Sequence, residues 1–287
     1  MRQVRRCGFT LIELLVALVL GATVAAAALS VLVVSQRVYG RQVSLADASA
    51  TTRAATVILT SELRGLDASA ASGSDLLRVT PTSLTYRALR SLYTTCKVAD
   101  LARSTIVLHA DFLGVRPLDP GVDSLLLFAD GDPTVSEDDR WIHADIREII
   151  PGPICPDGRP GITVHLAGVS KRNLERVGIG APVRGAALWE MKGYRAANGQ
   201  WWVGMRRYRK STGRWPSIQP VLGPIAPGGL RFGYYDASGV PTQVASRIAS
   251  IVLELATPGG DGSAPHWAVA PERSLTLRVS LRSSLPR

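Results

Sequence analysis

The chain has 287 residues, 46% of them hydrophobic, and a formal net charge of +10. That balance favours acidic partners, DNA and anionic surfaces among them, but net charge speaks to association and not to fold. His-Glu-x-x-His, Gly-x-Ser-x-Gly and P-loop patterns are absent, and Gly178-Ile-Gly-Ala-Pro-Val-Arg-Gly185 is wrongly spaced for a dinucleotide turn, so no enzyme class is indicated. The chain opens with a short basic leader, residues 1–8, containing Arg2, Arg5 and Arg6 and ending in Gly8. From Phe9 to Val34 run 26 residues whose only charge is Glu13. About 20 apolar residues cross a bilayer as a helix. A cleavable secretory signal has a shorter apolar core and a small-residue cleavage site. The leader arginines predict an N-in, C-out orientation by the positive-inside rule. Everything after Val34 is then expected outside the cytoplasm. A carboxylate within an apolar span costs about 2.5–3.5 kcal/mol at its centre and less near an end, which makes Glu13 a functional candidate.

The run Gly8, Phe9, Thr10, Leu11, Ile12, Glu13, set between a basic leader and a long apolar stretch, resembles the class III signal of type IV prepilins and pseudopilins. The resemblance implies that a prepilin peptidase cuts after Gly8 and methylates Phe9. It also implies that the Glu13 carboxylate pairs with the N-terminal amine of a neighbouring subunit's Phe9. The implied partners are that peptidase, other major and minor pilins or pseudopilins, and an inner-membrane assembly platform. Loss of the leader leaves 30 basic and 23 acidic residues, a charge of +7, and removes Cys7.

Residues 35–64 contain no proline and one glycine, Gly40. Apolar or small residues recur at Tyr39, Val43, Ala46, Ala50, Ala54, Val57 and Ser61, the three-and-four spacing of one helix face. Arg37, Arg41 and Glu62 are expected on the opposite face, Asp47 on the flank and Arg53 at the rim. One helix is therefore predicted from Phe9 to Arg64, about 84 Å long. Its segment 9–34 spans the membrane, its segment 35–64 is amphipathic, and Gly65 stops it. Residues 35–65 also resemble the same region of W-type minor pilins.

Residues 65–287 are expected to form an extracytoplasmic, β-rich head. Strands are predicted at 76–79, 83–88, 124–129, 162–166, 186–194, 200–208, 230–235, 247–255 and 274–281. Asn198-Gly199 signals a hairpin, and Asp236-Ala-Ser-Gly239 a turn. Short connections rich in glycine and proline leave little room for crossover helices, so pairing should be mostly antiparallel. The run Gly229-Leu-Arg-Phe-Gly-Tyr-Tyr-Asp236 with the following strand resembles W-type minor pilins and J-type pseudopilins. The fold class expected is α+β, type IV pilin-like. Residues 90–184 are the least familiar part and read as an insertion-rich region of the head.

Cys96 and Cys155 remain after leader removal and, in an oxidising compartment, read as a disulfide. Asp130, Asp132, Glu137, Asp138 and Asp139 form the densest acidic cluster. Calcium takes six to eight oxygens, so the cluster is either a calcium loop or a solvated turn; its spacing is not that of an EF-hand. No other cofactor is expected. Arg206, Arg207, Arg209, Lys210 and Arg214 are interleaved with Trp201, Trp202, Tyr208 and Trp215. This is either a nucleic-acid surface, since basic groups hold phosphates and rings stack bases, or a hairpin whose arginines snorkel past packed aromatics. The family resemblance allows DNA because minor pilins in some systems take part in DNA uptake. His109, His143, His165 and His266 are scattered at no ligand-like spacing. The function expected is a minor pilin subunit of the W type. The alternatives are a J-type minor pseudopilin of a type II secretion system and a membrane-anchored binding protein that does not polymerise.

Overall fold

The computed structural model describes residues 10–68, 74–131, 134–135, 138–258 and 274–282. It shows a long N-terminal helix followed by an antiparallel, β-rich head. Helix α1, Leu11–Arg64, runs unbroken for 54 residues, about 80 Å. No proline interrupts it, and Gly40 alone is too small a penalty to end a helix of this length. At Gly65 the backbone N–H turns back to the Leu63 carbonyl.

Strands follow in the order β1 (Leu76–Val79), β2 (Ser83–Asp100), β3 (Thr105–His109), β4 (Leu113–Gly114), β5 (Asp123–Ala129), β6 (Arg140–Pro151) and β7 (Gly161–Ala167). A short helix α2 (Lys171–Leu174) precedes β8 (Pro182–Arg195), β9 (Trp201–Arg207), β10 (Gln219–Ile225), β11 (Leu230–Tyr235), β12 (Ser250–Ala256) and β13 (Ser274–Ser280). The pairings among them are antiparallel, as the short connections predict. The Asn198-Gly199 signal sits in the β8–β9 connection, where Gly199 takes φ +83° and its N–H bonds to the Ala196 carbonyl.

Two long strands organise the head. β2 and β8 pair with each other from Ser83↔Lys192 to Thr94↔Pro182. At one end they lie in an open sheet with β1 on one side and β9 then β10 on the other. At the other end the ladder closes on itself: β2 pairs with β3, β3 with β7, β7 with β6, β6 with β5, and β5 with β8. Six strands thus make a closed barrel, built from the region the sequence marks as unfamiliar.

One extra residue in β2 makes this double use possible. The register slips between Leu89 and Ser91 while β8 continues without an insertion. The buried positions of β2 accordingly change from Leu84, Tyr86 and Ala88 to Ser91, Tyr93 and Thr95. A bulge of one residue re-aims every side chain beyond it. The first set joins the core against α1, and Tyr93 of the second joins the barrel core. The strand predicted at 83–88 therefore runs on to Asp100, and β3, β4, β6 and β10 add strands that periodicity did not reveal. The strand predicted from Arg247 starts later, at Ser250, because Ala245–Arg247 form a 3-10 turn.

The helix-side core joins Ala55, Leu59 and Leu63 of α1 to Leu84 and Tyr86 of β2, Met191 of β8 and Val203 of β9. The separate sheet β11-β12-β13 adds Phe232, Ile251, Leu253 and Val279 to the same core. The Arg282 N–H bonds to the Leu66 carbonyl at 3.1 Å, which ties the end of the last strand to the end of the helix. The barrel core is separate: Ile106, Leu108, Leu125, Leu127, Ile142, Val164, Leu166 and Val183, with Leu174 of α2.

Candidate functional site

At the start of α1 the backbone has free N–H groups that need acceptors. Thr10 and Glu13 supply them reciprocally. The Glu13 N–H bonds to Thr10 Oγ1 at 3.4 Å, and the Thr10 N–H and Oγ1 each donate to Glu13 Oε2 at 3.0 Å. This is a capping box, and its Thr-x-x-Glu spacing is legible in the sequence. Glu13 therefore has a local structural partner in the single chain, which the reading of it as a purely intermolecular group leaves out. Gly8 and Phe9 lie outside the described residues.

From Leu11 to Val34 the helix presents apolar side chains all round, and every one is exposed in the single chain. Of the described helices, α1 is long and apolar enough to cross a membrane. Head contact begins only beyond this stretch, and on a face other than the one predicted. Thr51, Ala55, Leu59, Leu63 and Leu66 are buried against the head. Tyr39, Val43 and Val57 of the predicted stripe are 69%, 42% and 70% exposed, while its Ala54 packs partly buried against the core. Small and apolar residues occupy both faces of this half-helix, so periodicity alone marked the wrong one. The head chooses its stripe by shape: Thr51 Oγ1 donates to the Gly223 carbonyl at 3.0 Å, and the leucines below it reach the sheet.

Glu62 is the second correction. Expected on the outer face, it turns to the head and accepts two bonds from Arg90, Nη1 to Oε1 and Nη2 to Oε2, both at 3.0 Å. Tyr86 OH also donates to it at 3.2 Å. Arg90 is the bulged residue of β2, and its guanidinium lies 5.0 Å from the centre of the Trp189 ring. Burial, and then the adjacent carboxylate, push the Tyr86 phenol well above its ordinary value. A planar guanidinium matches a carboxylate in this two-bond geometry. No sequence signal links residues 62 and 90.

The basic candidates divide. A groove of about 760 Å³ between α1 and the β8-β9-β10 edge is lined by Ile58, Glu62, Arg90, Trp189, Arg206, Arg207 and Arg209 among others. Arg206 is engaged: Nε donates to Glu190 Oε2 at 2.5 Å, and its guanidinium stacks 5.2 Å from the Trp215 ring centre. Lys210 points away from the groove to Asp145, to Ser124 Oγ at 2.8 Å and to the Asp123 carbonyl at 3.1 Å. Arg207 and Arg209 stand in the groove wall without a side-chain hydrogen bond or ion pair to any described residue. Tyr208 and Trp215 pack edge to face at 5.3 Å.

In the acidic loop Asp132 and Glu137 lie outside the described residues. Burial, and then the nearby Asp130 and Asp138, push the Asp139 carboxyl up. The described side chains that converge closely enough to share one ion are elsewhere: Cys96, His109 and Cys155. The two cysteines form the disulfide read from the sequence, with Cα atoms 5.6 Å apart. Sequence spacing gave no reason to join His109 to them. The Thr95↔Leu108 pairing of β2 and β3 does so.

Residues 4–29 match the prokaryotic N-terminal methylation motif. This is a type IV pilin-like precursor signal. It implies processing by prepilin peptidase and assembly with other pilins. The match ends inside the apolar half of α1, and the head lies beyond it. No curated protein and no solved structure matches the chain.

Proposed function

We propose that the chain is a minor pilin subunit of the W type. Prepilin peptidase cuts between Gly8 and Phe9 and methylates Phe9. The apolar segment 9–34 holds the subunit in the inner membrane with its head in the periplasm. The same segment then enters the helix bundle of a pilus, where its side chains exchange lipid for protein. Glu13 meets the amine of a neighbour's Phe9 and sets axial register. Burying the two ions costs much of what their attraction returns.

One observation carries the reading. Behind the matched motif, α1 leaves its whole first half uncovered and packs only its second half on the head. The W-type assignment over a J-type pseudopilin rests on the resemblance of residues 35–65, since residues 229–255 resemble both. The test is Glu13→Ala, scored as the ratio of fibre-incorporated to membrane-held protein, with cleavage at Gly8 followed separately. Membrane insertion should be as good or better, since a charge leaves the span, and incorporation should fall. Glu13→Gln should behave like the alanine variant, and Glu13→Asp should be intermediate. Unchanged incorporation in Glu13→Ala overturns the register role. A mature protein that retains residues 1–8 in a strain with active peptidase overturns the processing step.

A further inference from the structure

Three donor atoms meet at the closed end of the barrel. One sulfur from each of Cys96 and Cys155 and one ring nitrogen of His109 all lie within 4.8 Å of one another. All three residues are buried, at 2%, 3% and 9% exposure. They come from separate segments: Cys96 from β2, His109 from the end of β3, and Cys155 from the turn after β6. The backbone fixes each. His109 pairs with Gly161 of β7, the Gly152 N–H bonds to the Gly161 carbonyl at 2.9 Å, and the Cys155 N–H bonds to the Arg159 carbonyl at 2.8 Å. The barrel ladder, the turn after β6 and the sulfur–sulfur bond together hold the three residues in place.

The disulfide leaves one thing unexplained. His109 Nε2 faces Arg159 Nη2 at 3.4 Å and Asp157 Oδ2 at 3.8 Å, while Nδ1 is buried with no partner. A buried polar atom without a partner is costly and uncommon. The imidazole thus has one nitrogen left without a partner and the other near the Arg159–Asp157 pair, whose carboxylate is of the kind that serves as outer partner to a metal-ligating histidine.

We propose that Cys96, Cys155 and His109 form a redox-gated site for a divalent cation of the zinc class, with the disulfide as its closed, metal-free state. Zinc–sulfur bonds of about 2.3 Å and zinc–nitrogen bonds of about 2.0 Å put tetrahedral ligand atoms about 3.5–3.8 Å apart, inside the span of this cluster. The sulfurs need only part from bonding distance to that edge. Two thiolates and one neutral imidazole match a cation of borderline softness. An open cavity of about 260 Å³, lined by Tyr93, His109, Asp111, Phe112 and Arg159 among others, reaches the histidine of the cluster.

The opening step balances. A dithiol reductant exchanges with the bridge: its two thiol hydrogens end on Cys96 and Cys155, and its own sulfurs become bonded. The cation then displaces both thiol protons to solvent and binds the two thiolates and the imidazole. Exchange with a disulfide-bearing oxidant closes the site again: the two thiolates become the Cys96–Cys155 bridge, the oxidant's sulfur–sulfur bond takes up the two electrons and two protons from solvent as two thiols, and the ion is released. The site thus loads in chains that have not yet been oxidised and empties when the bridge forms.

The test uses the full chain in detergent micelles with Co²⁺ as the probe. The disulfide is opened with a phosphine, which leaves as its oxide with oxygen from water, and excess phosphine is removed before the metal is added. Reduced wild-type protein should bind one Co²⁺ with a sulfur-to-cobalt charge-transfer band and the strong visible bands of tetrahedral coordination. The oxidised protein should show neither. His109→Ala keeps both cysteines and the oxidised fold. It should bind Co²⁺ at least about tenfold more weakly, since even outer-partner changes reach that size. Three outcomes overturn the proposal: only the faint spectrum of hydrated cobalt in the reduced wild type, equal affinity in His109→Ala, or equal binding by the oxidised chain. Circular dichroism follows the fold throughout, and a reduced chain that unfolds and is not restored by Co²⁺ also counts against it.

Discussion

The two ends of the head share β2 and β8 yet solve burial differently. At the helix end the sheet is open, and its apolar face needs α1 and the β11-β12-β13 sheet to cover it. At the far end the strands close into a barrel that encloses its own core and adds only the single turn of α2. Closure removes free strand edges there. The helix end keeps β1 and β10 as outer strands. The difference shows what each end is built to hold. One is a socket for the second half of α1, and the other is a self-supporting body that stands away from it.

Because β2 and β8 pass through both, the two ends should unfold together. Arg116→Ala should be the most damaging change at the barrel end. Asp123 is fully buried and held by Arg116 Nη1 at 2.7 Å, Arg116 Nη2 at 2.6 Å and the Asp119 N–H at 2.8 Å. Removing the cation strands a buried carboxylate, which costs about 3–5 kcal/mol. The double change Arg116→Met with Asp123→Asn should cost much less. Denaturant unfolding followed by tryptophan fluorescence and by circular dichroism should give one displaced transition. Two separated transitions would break the picture of shared strands.

At the helix end Leu59→Ala should cost about 2–5 kcal/mol, because a fully buried leucine leaves a cavity between α1 and the sheet. Val57→Ala, on the exposed stripe, should stay within about 0.5 kcal/mol. Equal losses from the two variants would restore the face that periodicity predicts. Opening the bridge with Cys96→Ser and Cys155→Ser should remove about 2–4 kcal/mol. It acts at the barrel end and should shift the same transition as Leu59→Ala.

A gradual effect is a pH dependence at the junction of helix and sheet. Asp75 accepts the Asp67 N–H at 2.9 Å, and burial raises its carboxyl from 3.8 to about 6. The folded state therefore holds this proton more tightly than the unfolded chain does. Stability should fall as pH rises from about 4 to about 6, by about 2 kcal/mol once residual solvent contact is discounted, and level off above. Asp75→Asn should flatten that slope in denaturant midpoints measured across the window. A slope unchanged in the variant removes Asp75 as its source.

Legibility in the sequence follows the range of the interactions. The apolar run, the Gly8–Glu13 signal, the Asn198-Gly199 hairpin and the Asp236–Gly239 turn are local patterns, and each could be read in place. The disulfide was readable by counting, because leader loss leaves two cysteines. Arg206, Arg207, Arg209 and Lys210 form one cluster along the chain, yet the fold spends Arg206 on Glu190 and Lys210 on Asp145. Adjacency in sequence says nothing about which side of the sheet a partner occupies.

By itself the sequence determined that α1 is one continuous helix, that its first half is apolar all round, and that a β-rich head follows. Helical and strand periods are properties of neighbouring residues, and they survive without knowledge of the fold. Only the tertiary structure decided which stripe of α1 meets the head. It alone paired Glu62 with Arg90, placed a one-residue bulge where β2 passes from open sheet to barrel, and carried His109 to the cysteines. Each of these depends on register between segments far apart in the chain, and a shift of one residue would reverse it.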